Sequence, residues 1–501
     1  MKRILPLLTF IFSTTVLFAR QKSNIIFIYV DDLGYGDLGC YGATKLHTPN
    51  VDALAKQGLR FTNAHTTSAT CTPSRYGLIT GQYPWRKQGT GVLPGDASLI
   101  IPTNRTTLAN LLKKAGYATA IVGKWHLGLG EQVEKNWNKE IKPGPNEVGF
   151  DYSFIFPATA DRVPTVFIEN HNVVALDAND PIEVDYQKPI GTDPTGKEHP
   201  ELLKLLSSPD HGHNQTIVNG IGRIGYMSGG RQARWTDEEI TTTFLSKAQG
   251  FIETNKSKPF FLFYSMTEPH VPRMPATIFK GKSGLGLRGD AILQMDYTVG
   301  EIMKQLKQLG IDKNTMIIFS SDNGPVLDDG YQDGAVTQLN GHTPLGPLRG
   351  GKYSAFEGGT RVPFIISWPG NIKPGVSNAL VSQVDFLASF ASLTKQTIPK
   401  GDAMDSQNML PAFLGKSKTG RSSLIEQGGA LALVLNNWKY IGPQKGIAYM
   451  KLTGIETGNL PTTQLYNLKA DIGEQNNLAE KYPEKVKEMA TLFDQVVKGG
   501  K

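Results

Sequence analysis

The chain has 501 residues, 39% hydrophobic and 19% charged, which fits one large globular domain with a smaller one and excludes a disordered or fibrous protein. Its formal charge is +7. No Lys/Arg run or basic-aromatic alternation of the kind that tracks a phosphate backbone occurs, so the charge reads as a mild preference for anionic small groups or polymers.

Lys2 and Arg3 precede an apolar run from Ile4 to Phe18, and Ala19 stands before the polar Arg20 to Ser23. This is the layout of a secretory signal over residues 1–19, and it predicts an exported, periplasmic or secreted protein. The run is too short to span a bilayer comfortably and no later segment approaches ~20 apolar residues, so a membrane anchor is the weaker reading. Leu17 is large for a position two residues before the cut, which leaves the cleavage site open. Cutting after Ala19 removes Lys2 and Arg3 and leaves the remaining chain basic.

Asn24 to Val30 is a continuous apolar run that ends in Asp31-Asp32, the pattern of a buried parallel strand with acids at its carboxyl end. Open α/β sheets bind ligands at that edge. A Gly-rich loop follows, and Thr48-Pro49 opens a helix with Val51, Leu54, Ala55 and Leu59 on one face. A second helix with Leu108, Leu111 and Leu112 stops at Gly116, and Ala118 to Val122 forms the next strand. Between Ala158 and Trp235 periodicity dissolves into Pro, Asp, Asn and His, which predicts long surface excursions that line a cleft. Phe260 to Tyr264, Met316 to Phe319 and Val362 to Trp368 read as further strands. A long amphipathic helix through Ile292, Met295, Val299, Met303 and Leu306 ends at Gly310. Strands alternating with helices predict an α/β fold with a mostly parallel sheet and helices on both faces.

From Arg421 the pattern changes to short strands, Leu431 to Leu435, Trp438 to Ile441 and Gln464 to Leu468. A helix through Val486, Met489, Leu492, Phe493 and Val497 follows. The predicted organisation is therefore a signal over 1–19, a catalytic domain over 20–420, and a small C-terminal antiparallel sheet and helix subdomain over 421–501. Gly284-Leu285-Gly286-Leu287-Arg288-Gly289 satisfies the dinucleotide fingerprint literally, but it follows a loop rather than a strand and is set aside.

Only two cysteines occur, Cys40 and Cys71. In an exported chain they read first as one disulfide. The surroundings of Cys71 argue otherwise. Cys71-Thr72-Pro73-Ser74-Arg75, continuing to Thr80-Gly81, resembles the maturation and active-site signature of the type I sulfatases. Gly116-Tyr117-Ala118-Thr119 and Gly123-Lys124-Trp125-His126-Leu127-Gly128 resemble that family's second signature. The resemblance spans Asn24 to Ala479 and implies an alkaline-phosphatase-like fold and hydrolysis of sulfate esters. It also implies oxidation of Cys71 to formylglycine by a maturation enzyme before folding is complete.

The likeness assigns further residues. Asp31, Asp32, Asp322 and Asn323 match the family's metal ligands, with the residue at 71 completing the shell. Hard oxygen donors suit Ca2+, with Mg2+ as the alternative. His270, in Glu268-Pro269-His270-Val271-Pro272, matches the histidine that protonates the leaving group. Lys352, in the segment from Leu348 to Pro363, matches a lysine that contacts the sulfate. The implied division of labour has a hydrated aldehyde at 71 attack sulfur, with Asp322 as proton acceptor. Arg75, Lys124 and Lys352 neutralise charge, and His126 takes the proton that lets sulfate leave.

Across Ala158 to Trp235 many family members carry a further serine or histidine that has no identifiable match here. Asp471-Ile472-Gly473-Glu474 and Asn477-Leu478 resemble a family turn, with Ile472 where proline is common. The substrate expected is a sulfated glycan, a 6- or 4-sulfated galactose or N-acetylgalactosamine, gripped by Arg162 and by candidates among His211, His213, Arg223, Arg231 and Arg234. The alternative is a phosphonate monoester or phosphodiester hydrolase of the same superfamily. A scaffold that binds glycans without turnover is disfavoured by the intact set from Cys71 to Asn323.

Overall fold

A computed structural model describes residues 22–132 and 135–499. The leader read over 1–19 lies outside them. The centre is a ten-stranded sheet whose inner strands run parallel in the order Thr315–Ser321, Asn24–Val30, Phe260–Ser265, Ala118–Lys124 and Tyr152–Phe156. Every residue of the Asn24–Val30 strand is buried. Ile25, Phe27 and Tyr29 pack on one face and Ile26, Ile28 and Val30 on the other, so a strand with period two serves two cores.

Helices cover both faces. Cys71–Thr80, Leu108–Lys114 and Phe386–Thr394 pack into the first core, and Pro49–Gln57, Ile240–Asn255 and Gly286–Gln308 into the second. Among the described residues no helix is long and apolar enough to cross a membrane.

Three expectations change. The Pro49–Gln57 helix stops before Gly58, and Leu59 begins a short strand, Leu59–Phe61, that packs into the opposite core from Val51 and Leu54. A glycine that ends a helix resets the chain direction, so Leu59 does not continue the apolar stripe. The strand expected from Val362 runs Phe364–Ser367 and pairs antiparallel with both Thr315–Ser321 and Leu59–Phe61. The segment from Ala158 to Trp235 is not merely superficial. It adds Ile168–Glu169 and Asn172–Val173 to the central sheet, and it carries two separate antiparallel pairs and a buried Arg223 whose guanidinium bonds Asp237 at 2.9 and 2.6 Å. Part of the burial there is satisfied by ion pairs, and its buried apolar residues, such as Val163, Val166 and Met227, are scattered without a period to read.

The glycine-rich Gly284–Gly289 stretch runs from a turn into the first residues of the Gly286–Gln308 helix, and Arg288 forks onto Asp37 at 2.8 and 2.6 Å.

The C-terminal sheet is antiparallel in the order Ser423–Gln427, Leu431–Leu435, Trp438–Ile441, Gln464–Asn467. The Pro483–Lys498 helix packs against it through Met489 and Phe493. Alternation in Trp438–Ile441 sends Tyr440 toward Phe493 and Lys439 the other way. Lys439 Nζ lies 2.9 Å from Glu357 and Glu426 and 3.7 Å from Glu474, all fully buried. Arg361 pairs with Glu357 at 2.5 Å, and His65 approaches Glu426 at 2.5 Å. Burial pushes Glu474 up to about 8. Burial also opposes the charge of Glu357, but Arg361 and Lys439 outweigh it and hold that carboxyl well below the usual range. Backbone bonds join the same units: Ala69 N donates to Gln427 O, Gly429 N to Tyr353 O and Ala355 N to Thr457 O, at 2.7 to 2.8 Å.

Candidate active site

The carboxyl ends of the central strands meet at one place. Asp31 and Asp32 follow Val30, Lys124 ends its strand with His126 two residues on, and Asp322 and Asn323 follow Ser321. Asp32 and His126 adopt φ of 61° and 56°, a left-handed turn that re-aims the chain just past the sheet.

Cys71 is the first residue of the Cys71–Thr80 helix, so it sits at the positive end of the helix dipole. It is 1% exposed, and the structure holds both cysteines as free thiols. Its ligand atom and those of Asp31, Asp32 and His270 lie within 4.8 Å of one another. Burial pushes the Cys71 thiol up to about 11, against the pull of Lys124 and Lys352. A neutral thiol in that state is a poor nucleophile at neutral pH.

The acids are heavily engaged. Lys124 Nζ donates to Asp31 Oδ2 at 2.7 Å, and Lys352 Nζ to Asp32 Oδ2 at 2.9 Å. Arg75 donates to Asp322 Oδ2 through Nε at 3.0 Å and Nη2 at 2.7 Å, and to Ser265 Oγ at 2.6 Å. Asn323 Nδ2 donates to Asp32 Oδ1 at 2.6 Å. Burial works against ionising Asp322, yet Arg75 and Lys124 bring it to about 2, while burial and Asp322 hold Asp31 raised. Asp31 Oδ1 and Asn323 Oδ1 are buried with no hydrogen-bond partner. Orphaned hard oxygens beside two further carboxylates are the donor set that Ca2+ or Mg2+ takes, so the residues fit such an ion.

The two histidines have readable tautomers. His126 Nε2 lies 2.9 Å from Leu93 O, and a carbonyl only accepts, so Nε2 carries the proton and the unpartnered Nδ1 keeps its lone pair. Burial, with Lys124 and Arg162 nearby, holds His126 well below the usual range. His270 Nδ1 donates to Val271 O at 2.7 Å, which leaves Nε2 facing Asp32 and Asp329 at 3.8 and 3.9 Å.

A cavity of about 260 Å³ opens above Cys71, lined among others by Arg162, His270, Asp329, Lys352 and Tyr353. Cys71, Arg162, His270 and Lys352 therefore reach it directly. Asp31, Asp32, Arg75, Lys124, His126, Asp322 and Asn323 lie around its base rather than in its lining. Of the suggested sugar-gripping residues, His211 and His213 line the cavity. Arg223, Arg231 and Arg234 do not: their guanidinium groups are committed to Asp237, Asp180 and Asp193.

Sequence reasoning passed over three contributors. Asp329 accepts from Lys352 Nζ at 2.8 Å and from Tyr353 Oη at 3.2 Å, and its signal was a second acidic pair, Asp328-Asp329, shortly after Asn323. Asp161 Oδ2 meets His213 Nε2 at 3.0 Å, so an acid that no motif pointed to anchors a histidine already among the sugar-gripping candidates. Thr72 Oγ1 donates to His126 O at 3.0 Å and so links the two signature segments.

The family model described as sulfatase matches residues 23–396. An N-acetylgalactosamine-6-O-sulfatase of Bacteroides thetaiotaomicron is 54% identical over 478 residues, covering 95% of this chain and 93% of that protein. Human arylsulfatase A is 30% identical, covering 91% and 83%. A Bacteroides thetaiotaomicron structure, solved in work on the metabolism of multiple glycosaminoglycans, superposes with a TM-score of 0.93 at 54% identity, covering 95% of this chain and 99% of that one. The phosphonate monoester hydrolase of Agrobacterium radiobacter shares the fold at a TM-score of 0.56 and 16% identity, covering 96% of each chain.

Proposed function

We propose, from the fact that the chain belongs to the sulfatase family of sulfuric ester hydrolases, that it removes the 6-sulfate of N-acetylgalactosamine in a glycan, using a formylglycine made from Cys71. One observation carries the chemistry: Cys71 opens a helix at the base of a cavity, with Asp31, Asp32 and His270 converging on it. The sugar and the position rest on the relative that is 54% identical and named for that activity.

As found, the buried thiol is held protonated, which supports conversion to another group before turnover. Because Cys71 is 1% exposed and helical, a maturation enzyme that reads it as an extended peptide must act before the chain folds. The domain limits of 20–420 and 421–501 are part of this reading, as is export by the signal over 1–19.

Asp31, Asp32, Asp322 and Asn323 would hold a Ca2+, or a Mg2+, together with the residue at 71. A cation bound there supplies Lewis-acid polarisation and lowers the pKa of a coordinated hydroxyl. The chain's own residues do the remainder. Lys352 and Lys124 place ammonium charge beside Cys71 to meet the sulfate oxygens, and Arg75 holds Asp322 ionised and in place. His126, neutral with Nδ1 free, is set to accept a proton. Burial, Lys352 and Lys124 hold His270 neutral. An incoming sulfate adds negative charge next to Nε2, which favours the protonated form needed to donate to the departing sugar oxygen. Arg162 and His213, both on the cavity wall, face the sugar.

Paired aryl esters test the reaction class, and N-acetylgalactosamine carrying a 4- or a 6-sulfate tests the position. The expected result is sulfate release from the aryl sulfate and the 6-sulfated sugar, with phosphate release slower by orders of magnitude. Phosphate or phosphonate turnover that matches or exceeds sulfate release would replace this reading with the phosphonate or phosphodiester hydrolase one.

Metal removal is a separate test. A chelator is expected to abolish turnover and lower the midpoint of thermal unfolding, and Ca2+ to restore both. An ion held at a hundredfold its dissociation constant contributes about 2.7 kcal/mol of stability. Unchanged melting and activity after exhaustive chelation would rule out the ion.

A further inference from the structure

The cavity of about 260 Å³ is smaller than the roughly 300–1,000 Å³ that encloses a whole drug-sized ligand. Its lining is largely polar and charged, Asp161, Asp210 and Asp329 included, but it also carries exposed apolar side chains. Val92 is one of them. Met450, Leu452 and Thr453 join the lining from the hairpin that pairs Tyr449–Met450 with Ile455–Glu456. Val92 is 40% and Leu452 48% exposed, so two large apolar side chains from separate parts of the chain stand open to water beside a charged pocket.

The hairpin is fixed in place. Leu452 O accepts from His211 Nε2 at 3.2 Å, and Ser354 Oγ, two residues after Lys352, donates to Glu456 O at 2.6 Å. Its position is thus tied to both the cavity wall and the segment that carries the sulfate-facing lysine.

Resting on the 6-sulfated saccharide reading above, we infer that Val92 and Leu452 form a second binding subsite, for the sugar ring that adjoins the sulfated one. A cavity of this size takes one hexosamine ring with its sulfate. The rest of a longer saccharide extends out of it past these exposed side chains. A pyranose presents apolar C–H faces and polar edges, and covering such a face with aliphatic carbon removes apolar area of both partners from water. The contact needs no charge on the adjoining ring, so this subsite reads chain length rather than sulfation. Tyr449, 52% exposed and next to Met450, does not line the cavity and serves as an internal control.

The experiment compares kcat/KM for sulfate release from N-acetylgalactosamine 6-sulfate and from a trisaccharide with that sugar at its non-reducing end. Wild type is expected to prefer the trisaccharide. Leu452→Ser and Val92→Ser should each lower kcat/KM on the trisaccharide about tenfold, the scale of one exposed aliphatic side chain's contact area, and change the monosaccharide by less than about twofold. Tyr449→Ser should alter neither. Equal losses on both substrates, or no loss on the trisaccharide, would overturn the subsite while leaving the sulfatase reading intact. A wild-type enzyme that desulfates neither saccharide but turns over an aryl sulfate would overturn the substrate reading, and the subsite with it.

Discussion

Cys71→Ala is expected to abolish sulfate release, with kcat/KM falling by at least about 10⁴-fold, as removal of a nucleophile does in other covalent hydrolases. The fold should survive. Only the small group beyond Cβ is lost, the helix it begins keeps Leu78 and Ile79 in the core, and alanine is a good helix former. The variant should therefore melt close to wild type while it releases no sulfate. The matching measurement on wild type is the mass of the peptide containing residue 71, which should lack the thiol sulfur and carry an aldehyde or its hydrate. Active protein with an intact thiol there, or with Cys40 and Cys71 joined, would be incompatible with the proposed chemistry.

Lys439→Met is expected to be the most destabilising single change at the junction of the two sheets. Lys439 Nζ sits between Glu357 and Glu426 at 2.9 Å, with all three side chains fully buried. Removing the ammonium leaves buried carboxylates short of a positive partner, a loss that costs about 3–5 kcal/mol in comparable buried pairs. Arg361 still answers Glu357 with a permanent charge, whereas Glu426 keeps only the imidazole of His65 at 2.5 Å and so suffers more. Urea unfolding followed by far-UV circular dichroism would measure the loss. A variant as stable as wild type would mean that the cluster neutralises itself by proton uptake at no net cost. Glu357→Gln and Glu426→Gln, introduced on the Lys439→Met background, should recover part of the stability, because the removed charges no longer need a partner.

How much of this was legible in the sequence depended on what buries each element. Asn24–Val30, Leu431–Leu435 and Trp438–Ile441 end where their apolar runs end, because apolar transfer sets those boundaries. The same holds for the central strands that end near Lys124 and Asp322. Acids and bases placed at strand ends could be located because the parallel order brings carboxyl ends together.

What stayed hidden was burial by charge. Lys439 reads as the polar residue of an alternating strand, yet it is fully buried. Arg223 looked free to bind a sugar but is consumed by Asp237. Asp161, Arg162, His211 and His213 come from a stretch without periodicity, and their convergence with Asp329 depends on long-range folding that no local pattern encodes. Leu59 shows the opposite failure: spacing placed it on a helix face, and one glycine moved it to another layer.

The backbone bonds that run from Ala69 to Gln427, from Gly429 to Tyr353 and from Ala355 to Thr457 weave the tail of the chain around the residues next to Cys71 and Lys352. A recombinant in which the chain from residue 421 onward is exchanged with that of a relative would have to import the 349–361 segment along with it. Grafted without that segment, the foreign tail would meet a mismatched seam, and the lysine that receives the anion would lose its scaffold before any contact with the ligand itself was altered.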